Sequence, residues 1–119
     1  MKYVSTRGEA PVLGFSDALL AGLARDGGLY LPQDYPQFSP EQIRDLRGKS
    51  YVDIALAVPT PFVDGEIPHS DFRRMVHEAY GTFRHDAVCP LVQTGANEFV
   101  LELFHGPTLA FKAVSYTHL

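Results

Sequence analysis

The pattern of hydrophobic and polar positions along this chain predicts both helices and strands. Apolar residues at helical spacing predict four helices: one capped by Ser16 and stopped by Asp26-Gly27-Gly28, and three over residues 40–47, 50–58 and 68–80. Ser39-Pro40-Glu41-Gln42 has the spacing of a capping box with proline at the first helical position. The first helix carries an apolar stripe of Leu19, Leu20 and Leu23.

Shorter runs of β-branched and aromatic residues predict the strands. They cover residues 2–6, a short buried strand at residues 29–31, and residues 88–94 and 97–104, the last two joined as a hairpin through Gly95-Ala96. Pro59-Thr60-Pro61 predicts a rigid connector. The pattern therefore predicts an α+β fold with three or four helices, a few strands and a hairpin near residues 88–104.

Residues 101–112 predict a strand, a turn and the start of a helix. Gly106 permits backbone angles that are closed to other residues, Pro107 fixes φ, and Thr108 can cap the amides that follow. Lys112 then falls in the first turn of the helix. The sequence therefore predicts a lysine held on a rigid corner.

Lys112 is the candidate for chemistry, although a lysine near a helix start is more often an exposed surface residue. The pKa of a lysine amine falls when the amine is desolvated, and the free amine condenses with aldehydes. A helix start also favours nearby anions. Pyridoxal phosphate is a phosphorylated aldehyde that enzymes usually hold through a lysine.

Three stretches resemble the threonine synthase family. Residues 101–112 read Leu-Glu-Leu-Phe-His-Gly-Pro-Thr-Leu-Ala-Phe-Lys, which is similar to the family's cofactor-lysine motif, and residues 3–8 and 15–32 agree with the family in the same order. The resemblance implies the N-terminal portion of an α/β fold-type II pyridoxal phosphate enzyme of the tryptophan synthase β-like kind. It further implies an N-terminal domain over residues 1–87 and the start of the cofactor-binding domain over residues 88–112.

The resemblance implies a function as well. Lys112 would be the catalytic and cofactor-binding residue of a lyase in threonine biosynthesis that converts O-phospho-L-homoserine and water to L-threonine and phosphate. His105 would either help to place the substrate phosphate or be a corner histidine bonded to backbone. Two alternatives stay open: a phospholyase that releases a 2-oxo acid and phosphate, and a non-catalytic binding module.

The family motif continues with aspartate after the lysine, whereas Ala113 follows Lys112 here. We therefore expect residues 113–119 to be a non-matching tail that comes from truncation or foreign coding sequence. The resemblance puts the cofactor's phosphate loop and ring-nitrogen partner further downstream. A fragment of this length should then bind pyridoxal phosphate weakly and should not turn over substrate.

Charge, hydrophobic segments and cysteine content indicate which partners and which cellular compartment to expect. The formal net charge is −4, and no segment concentrates Lys and Arg, which argues against a nucleic-acid partner. The sequence has no signal-peptide core and no apolar membrane span, which predicts a cytoplasmic protein without a membrane partner. Cys89 is the only cysteine, and its apolar neighbours predict a buried structural thiol.

Two further sets of polar residues have structural alternatives. Ser5, Thr6 and Arg7 are either a small anion site or a polar strand end. His69, His77 and His85 recur every eight residues, a spacing that does not place ligands on one helical face, so no metal site is expected.

Overall fold

The computed structural model describes residues 1–112, which form five helices and four short strands in two separate antiparallel sheets. The helices are α1 (Phe15–Ala21), α2 (Pro40–Asp45), α3 (Tyr51–Ala57), α4 (Thr60–Val63) and α5 (His69–Tyr80), and the strands are β1 (Tyr3–Ser5), β2 (Tyr30–Pro32), β3 (Leu91–Gly95) and β4 (Glu98–Leu101). This confirms the predicted α+β fold. The expected tail, residues 113–119, lies outside the described residues.

The chain divides into two compact units. The first contains Met1–Arg47 and Ala57–His69, and the second contains Gly48–Leu56 and the chain from Ser70 onward. The predicted domain boundary between residues 87 and 88 is a different division, and it stays a prediction.

Strand β1 is the centre of the first unit. It pairs antiparallel with β2, with Tyr3 opposite Pro32, and its other edge bridges to Leu13 through two backbone hydrogen bonds of 2.9 and 3.0 Å. Tyr3 is buried, and its hydroxyl donates to the carbonyl of Phe62 at 2.8 Å. The strand therefore joins the start of the chain to α4 through a core tyrosine.

Helix α1 does not begin as predicted. Its N-cap is Gly14, which offers no side chain, and Ser16 lies inside the first turn. The Glu66 carboxylate instead accepts hydrogen bonds from the amides of Phe15 and Ser16, each at 2.8 Å. These amides would otherwise lack an acceptor. Glu66, from a loop distant in the sequence, therefore caps the helix in place of a nearby residue.

The end of α1 and the burial of its leucines also differ from the prediction. The helix ends at Ala21 because Gly22, with φ of 65°, closes it before Asp26 is reached. Leu19, Leu20 and Leu23 are exposed, and in β2 Leu31 is exposed although a buried strand was predicted. An apolar stripe gives the period of a helix, but the tertiary structure decides whether the stripe is covered.

Helix α2 begins as predicted. The Gln42 amide donates to Ser39 Oγ at 3.2 Å, and the Ser39 amide donates to Gln42 Oε1 at 2.8 Å, which completes the capping box. Among its apolar side chains, Ile43 is exposed, and Leu46 at its C-terminal end is half-buried. The predicted connector at Pro59-Thr60-Pro61 was wrong, because a single helical turn, α4, forms there with Pro61 near its start.

In the second unit, aromatic rings join α3 to α5. The rings of Tyr51 and Tyr80 meet edge to face with centroids 5.0 Å apart, and Phe83 lies 5.6 Å from Tyr80. Helix α5 ends where predicted, since the Gly81 amide donates to His77. Burial, followed by the neighbouring Tyr80 and Cys89, raises the pKa of Tyr51.

The predicted hairpin is present with shorter strands. Leu91 pairs with Leu101 and Gly95 with Glu98, so the turn consists of Ala96 and Asn97. The first strand starts three residues later than predicted because Val88, 2% exposed, has a φ of 58° and lies in a turn. Left-handed backbone cannot continue a strand.

Candidate functional site

The sequence predicted a strand, a turn and a helix start over residues 101–112, but strand β4 already ends at Leu101. We call residues 102–112, which contain the turn, the lysine corner. Two backbone hydrogen bonds connect it to the segment before β3. The Glu102 amide donates to the carbonyl of Pro90 at 3.0 Å, and the Arg84 amide donates to the carbonyl of His105 at 2.9 Å. The first four residues of the corner are thus fixed at both ends to one short loop.

A side-chain pair joins the same two residues of the corner. His105 Nε2 lies 2.6 Å from Glu102 Oε2, and the two side chains are 19% and 25% exposed. The ring of His85 lies near that of His105, with centroids 5.0 Å apart. The His105 ring therefore contacts the Glu102 carboxylate, while its backbone carbonyl accepts from the Arg84 amide. The role of His105 in placing the substrate phosphate stays a prediction.

In the turn that follows, the residue with a positive φ is not the glycine that the sequence suggested. Gly106 is buried and does not have a positive φ, whereas Leu109 has a φ of 55°. The Leu109 amide donates to the Gly106 carbonyl at 3.1 Å and closes the turn.

Lys112 follows this turn in helical conformation, and its side chain is exposed. Thr108 is also exposed in the turn, and its proposed capping role stays a prediction. The structure thus places the lysine after the corner, as predicted, and the predicted helix beyond it lies outside the described residues. The assignment of Lys112 as the catalytic and cofactor-binding residue remains a prediction from the motif.

The residues considered for an anion site, Ser5, Thr6 and Arg7, bond to another loop of the protein. Ser5 Oγ donates to Asp26 Oδ1 at 2.8 Å, and Arg7 Nη1 donates to the carbonyl of Asp26 at 3.0 Å. Thr6 Oγ1 accepts from the Leu29 amide at 3.0 Å. These contacts support the alternative of a polar strand end.

Asp26 is the centre of this cluster, and sequence reasoning treated it only as part of a helix stop. Its carboxylate accepts from the Gly28 amide at 2.9 Å and from the Glu9 amide at 3.0 Å, besides the Ser5 hydroxyl. Burial opposes its ionisation, but the bonds to the charged form, led by those of Gly28 and Ser5, lower the pKa of Asp26.

Asp26, Glu66 and Glu102 are the acidic residues that sequence reasoning missed. Glu102 had a usable signal, since it lies three residues before a histidine inside the motif. Asp26 had a weaker one in its Asp-Gly-Gly run. Glu66 had none, because its partners lie 50 and 51 residues earlier in the chain.

Cys89 forms no disulfide and is half-buried, not fully buried as predicted. No group of three or more His, Cys, Asp or Glu side chains within residues 1–112 is arranged to hold a metal ion. Within the same residues, every helix is too short or too polar to cross a membrane.

Comparison with known proteins supplies the family. Residues 2–80 match the family described as threonine synthase N terminus. The chain belongs to the threonine synthase family. This confirms the family resemblance of the three sequence stretches, and with it the predicted fold class.

Individual threonine synthases cover nearly all of the chain. It is 57% identical over 112 residues to threonine synthase from Pseudomonas aeruginosa. That alignment covers 94% of this chain and 24% of the Pseudomonas protein. The crystal structure of pyridoxal phosphate-bound threonine synthase from Brucella melitensis superposes with a TM-score of 0.94 at 86% identity, over 97% of this chain and 25% of that one. The chain is also 40% identical over 116 residues to threonine synthase-like 2 from Rattus norvegicus, over 97% of this chain and 24% of that protein.

The chain therefore spans about a quarter of the length of the curated threonine synthases it matches.

Proposed function

We propose that this chain is the N-terminal quarter of a threonine synthase that uses pyridoxal phosphate to convert O-phospho-L-homoserine and water to L-threonine and phosphate. The observation that carries the proposal is the intact cofactor-lysine motif, residues 101–112, in a chain of this family. The reaction makes the parent protein a lyase in threonine biosynthesis. A cytoplasmic location stays a prediction, supported by a single cysteine that forms no disulfide.

Lys112 would hold the cofactor. The aldehyde of pyridoxal phosphate can form a Schiff base only with an amine that it can reach. The Lys112 side chain is exposed and lies at the end of the hydrogen-bonded lysine corner. When bound, pyridoxal phosphate supplies an electron sink for the carbon atoms of the substrate. After the substrate amine takes the place of Lys112, Nζ of this lysine would accept and donate protons at the α, β and γ carbons.

The chain by itself should bind the cofactor weakly and should not turn over substrate. The lysine is one of several groups that such a cofactor requires, since its phosphate needs a nest of backbone amides and its ring nitrogen needs a partner. By family resemblance, these groups belong to the remaining three quarters of the protein.

The test of Lys112 uses the full-length enzyme that contains this chain. Borohydride reduction in the presence of pyridoxal phosphate should attach the cofactor permanently to its lysine, and peptide mass spectrometry should find the added mass on residue 112. Lys112→Ala should lose the bound cofactor's absorbance, whereas Lys2→Ala, at an exposed lysine in the other unit, should keep it. A label on another lysine would overturn the assignment.

A second candidate, left open by the family resemblance, is a phospholyase that releases a 2-oxo acid and phosphate. Incubation of the full-length enzyme with O-phospho-L-homoserine separates the two. L-Threonine and phosphate in equal amounts support the synthase, and a 2-oxo acid supports the phospholyase. A full-length protein that holds no cofactor and forms neither product would support the non-catalytic binding module.

A further inference from the structure

The Glu102–His105 pair is the most enclosed polar contact of the lysine corner. His105 Nε2 and Glu102 Oε2 lie 2.6 Å apart, in hydrogen-bonding contact. A carboxylate is an acceptor only, so this contact requires the tautomer of His105 with hydrogen on Nε2, whose N–H donates a hydrogen bond to Glu102 Oε2. The contact therefore fixes both the ring orientation of His105 and the rotamer of Glu102.

Apolar packing among the described residues covers only part of the corner. Leu103 is half-buried, whereas Phe104, Leu109 and Phe111 are each about half exposed, at 49%, 57% and 58%. The corner also depends on hydrogen bonds: one from Glu102 to Pro90, one from Arg84 to His105, and the side-chain pair itself. The pair joins the two residues that the backbone bonds hold.

We propose that Glu102 and His105 are positioning residues that fix the lysine corner, and so set the place from which Lys112 acts. This rests on the proposed function for the part that concerns Lys112. The pair closes the segment just before the Gly106 to Leu109 turn, and that turn leads directly to the lysine. If the pair is broken, the residues just before the turn are no longer held in place, so the position of the turn and of Lys112 is less well defined.

The first measurement follows the corner itself in the full-length enzyme without cofactor. Hydrogen exchange of peptides from residues 102–112 should accelerate about 10- to 100-fold in Glu102→Met, the factor that corresponds to a hydrogen bond to a charged group. Glu102→Gln should stay close to the original rate, because its amide oxygen still accepts from His105 Nε2. Glu98→Met, at an exposed carboxylate on β4, is the matched control and should leave the corner unchanged.

The second measurement follows catalysis in the cofactor-loaded enzyme. Glu102→Met and His105→Phe should each lower kcat by about 10- to 100-fold, because misplacing a reacting group costs this much, with KM changed less than about threefold. The double variant should lose no more than either single one, since each removes the same contact. Glu102→Gln should recover most of kcat and should restore the absorbance and circular dichroism of the bound cofactor.

The outcomes separate this proposal from the proposed function. Unchanged exchange in Glu102→Met, additive losses in the double variant, or a Glu102→Gln variant as impaired as Glu102→Met would each overturn the positioning role. A borohydride label on another lysine would overturn the role of Lys112 instead, while faster exchange in Glu102→Met would still support the pair as the element that fixes the corner. If Glu102→Met does not fold, the soluble Glu102→Gln and His105→Phe variants decide the question by the same exchange measurement.

Discussion

The Glu66 carboxylate accepts the amide hydrogen of Phe15 at 2.8 Å, although the two residues lie 51 positions apart in the sequence. It also accepts the Ser16 amide at 2.8 Å. One side chain from the loop after α4 therefore caps the first turn of α1. The start of this helix depends on a tertiary contact, which gives the first prediction.

Replacing Glu66 with Gln or Ala should destabilise the chain at neutral pH, and should destabilise it less in acid. Hydrogen bonds from the Ser16 and Phe15 amides lower the pKa of Glu66, so its contribution is complete above the unfolded value of about 4.3. That contribution is lost as the pH falls through the lower folded-state pKa.

Urea unfolding of the original chain and both variants, followed by circular dichroism at pH 7 and near pH 3, measures this effect. The difference in midpoint between the original chain and Glu66→Gln should shrink as the pH falls. A difference that is independent of pH would mean that the charge of Glu66 does not support α1.

The second prediction concerns Ser5, a buried hydroxyl at 6% exposure. It donates to Asp26 and accepts from the Arg7 amide at 3.2 Å, so Ser5→Ala leaves two groups short of a partner. The unfolding free energy should fall by about 1–2 kcal/mol. Ser70→Ala, at an exposed position in α5, should change it by less than about 0.5 kcal/mol. Equal effects at both positions would rule out a structural role for the Ser5 contacts.

The third prediction concerns the backbone at Val88, a β-branched residue with a φ of 58°. Val88→Ala should cost about 1–2 kcal/mol in lost apolar burial. Val88→Gly should then be more stable than Val88→Ala by about 0.5–1 kcal/mol, because glycine takes left-handed backbone without strain.

Val76 is the matched control, since it is similarly buried but lies within α5. There the order should reverse, with Gly less stable than Ala by about 1 kcal/mol. Chemical unfolding of the four variants gives both differences. The same sign at both positions would contradict a left-handed Val88.

The fourth prediction concerns Gly28, where a Cβ atom would lie 2.3 Å from Ser5 Oγ. Gly28→Ala should cost about 1–3 kcal/mol through this clash. Gly8→Ala should cost about 1–2 kcal/mol from its φ of 78° alone, because the space around Gly8 is open.

A double-variant cycle identifies the clash as the cause. Ser5→Ala removes the obstructing oxygen, so Gly28→Ala should cost less in that background than in the original chain. Losses that simply add would show that the glycine is required for another reason. Thermal or urea unfolding of the two single variants and the double variant is sufficient.

Local sequence rules predicted the elements whose determinants lie within a few residues. The capping box at Ser39 and Gln42 formed as expected because each partner lies three residues from the other. The hairpin and the end of α5 were also predicted, since a turn and a stop signal are local, although the hairpin turn is Ala96-Asn97 and not Gly95-Ala96. The motif likewise placed Lys112 directly after a turn.

The same rules failed where the partner is distant. Ser16 was expected to cap α1, but Glu66 does so. The sequence around Ser16 does not predict that contact. Val88 looked like a strand residue because Val favours strands, yet its burial in a turn overrides that preference. The exposed leucines of α1 had the period of a helix, but the period does not state what covers them.

The sequence by itself determined the family, the α+β composition of the chain and the position of the lysine, because motifs, caps and turns act over a few residues. Only the tertiary structure decided that Asp26 organises the Ser5 cluster, that Glu66 starts α1 and that Glu102 holds His105. These carboxylates share one property: each accepts donors that folding would otherwise leave without a partner. Which donors come within reach of an acceptor depends on how the chain folds, and local pattern does not contain that information.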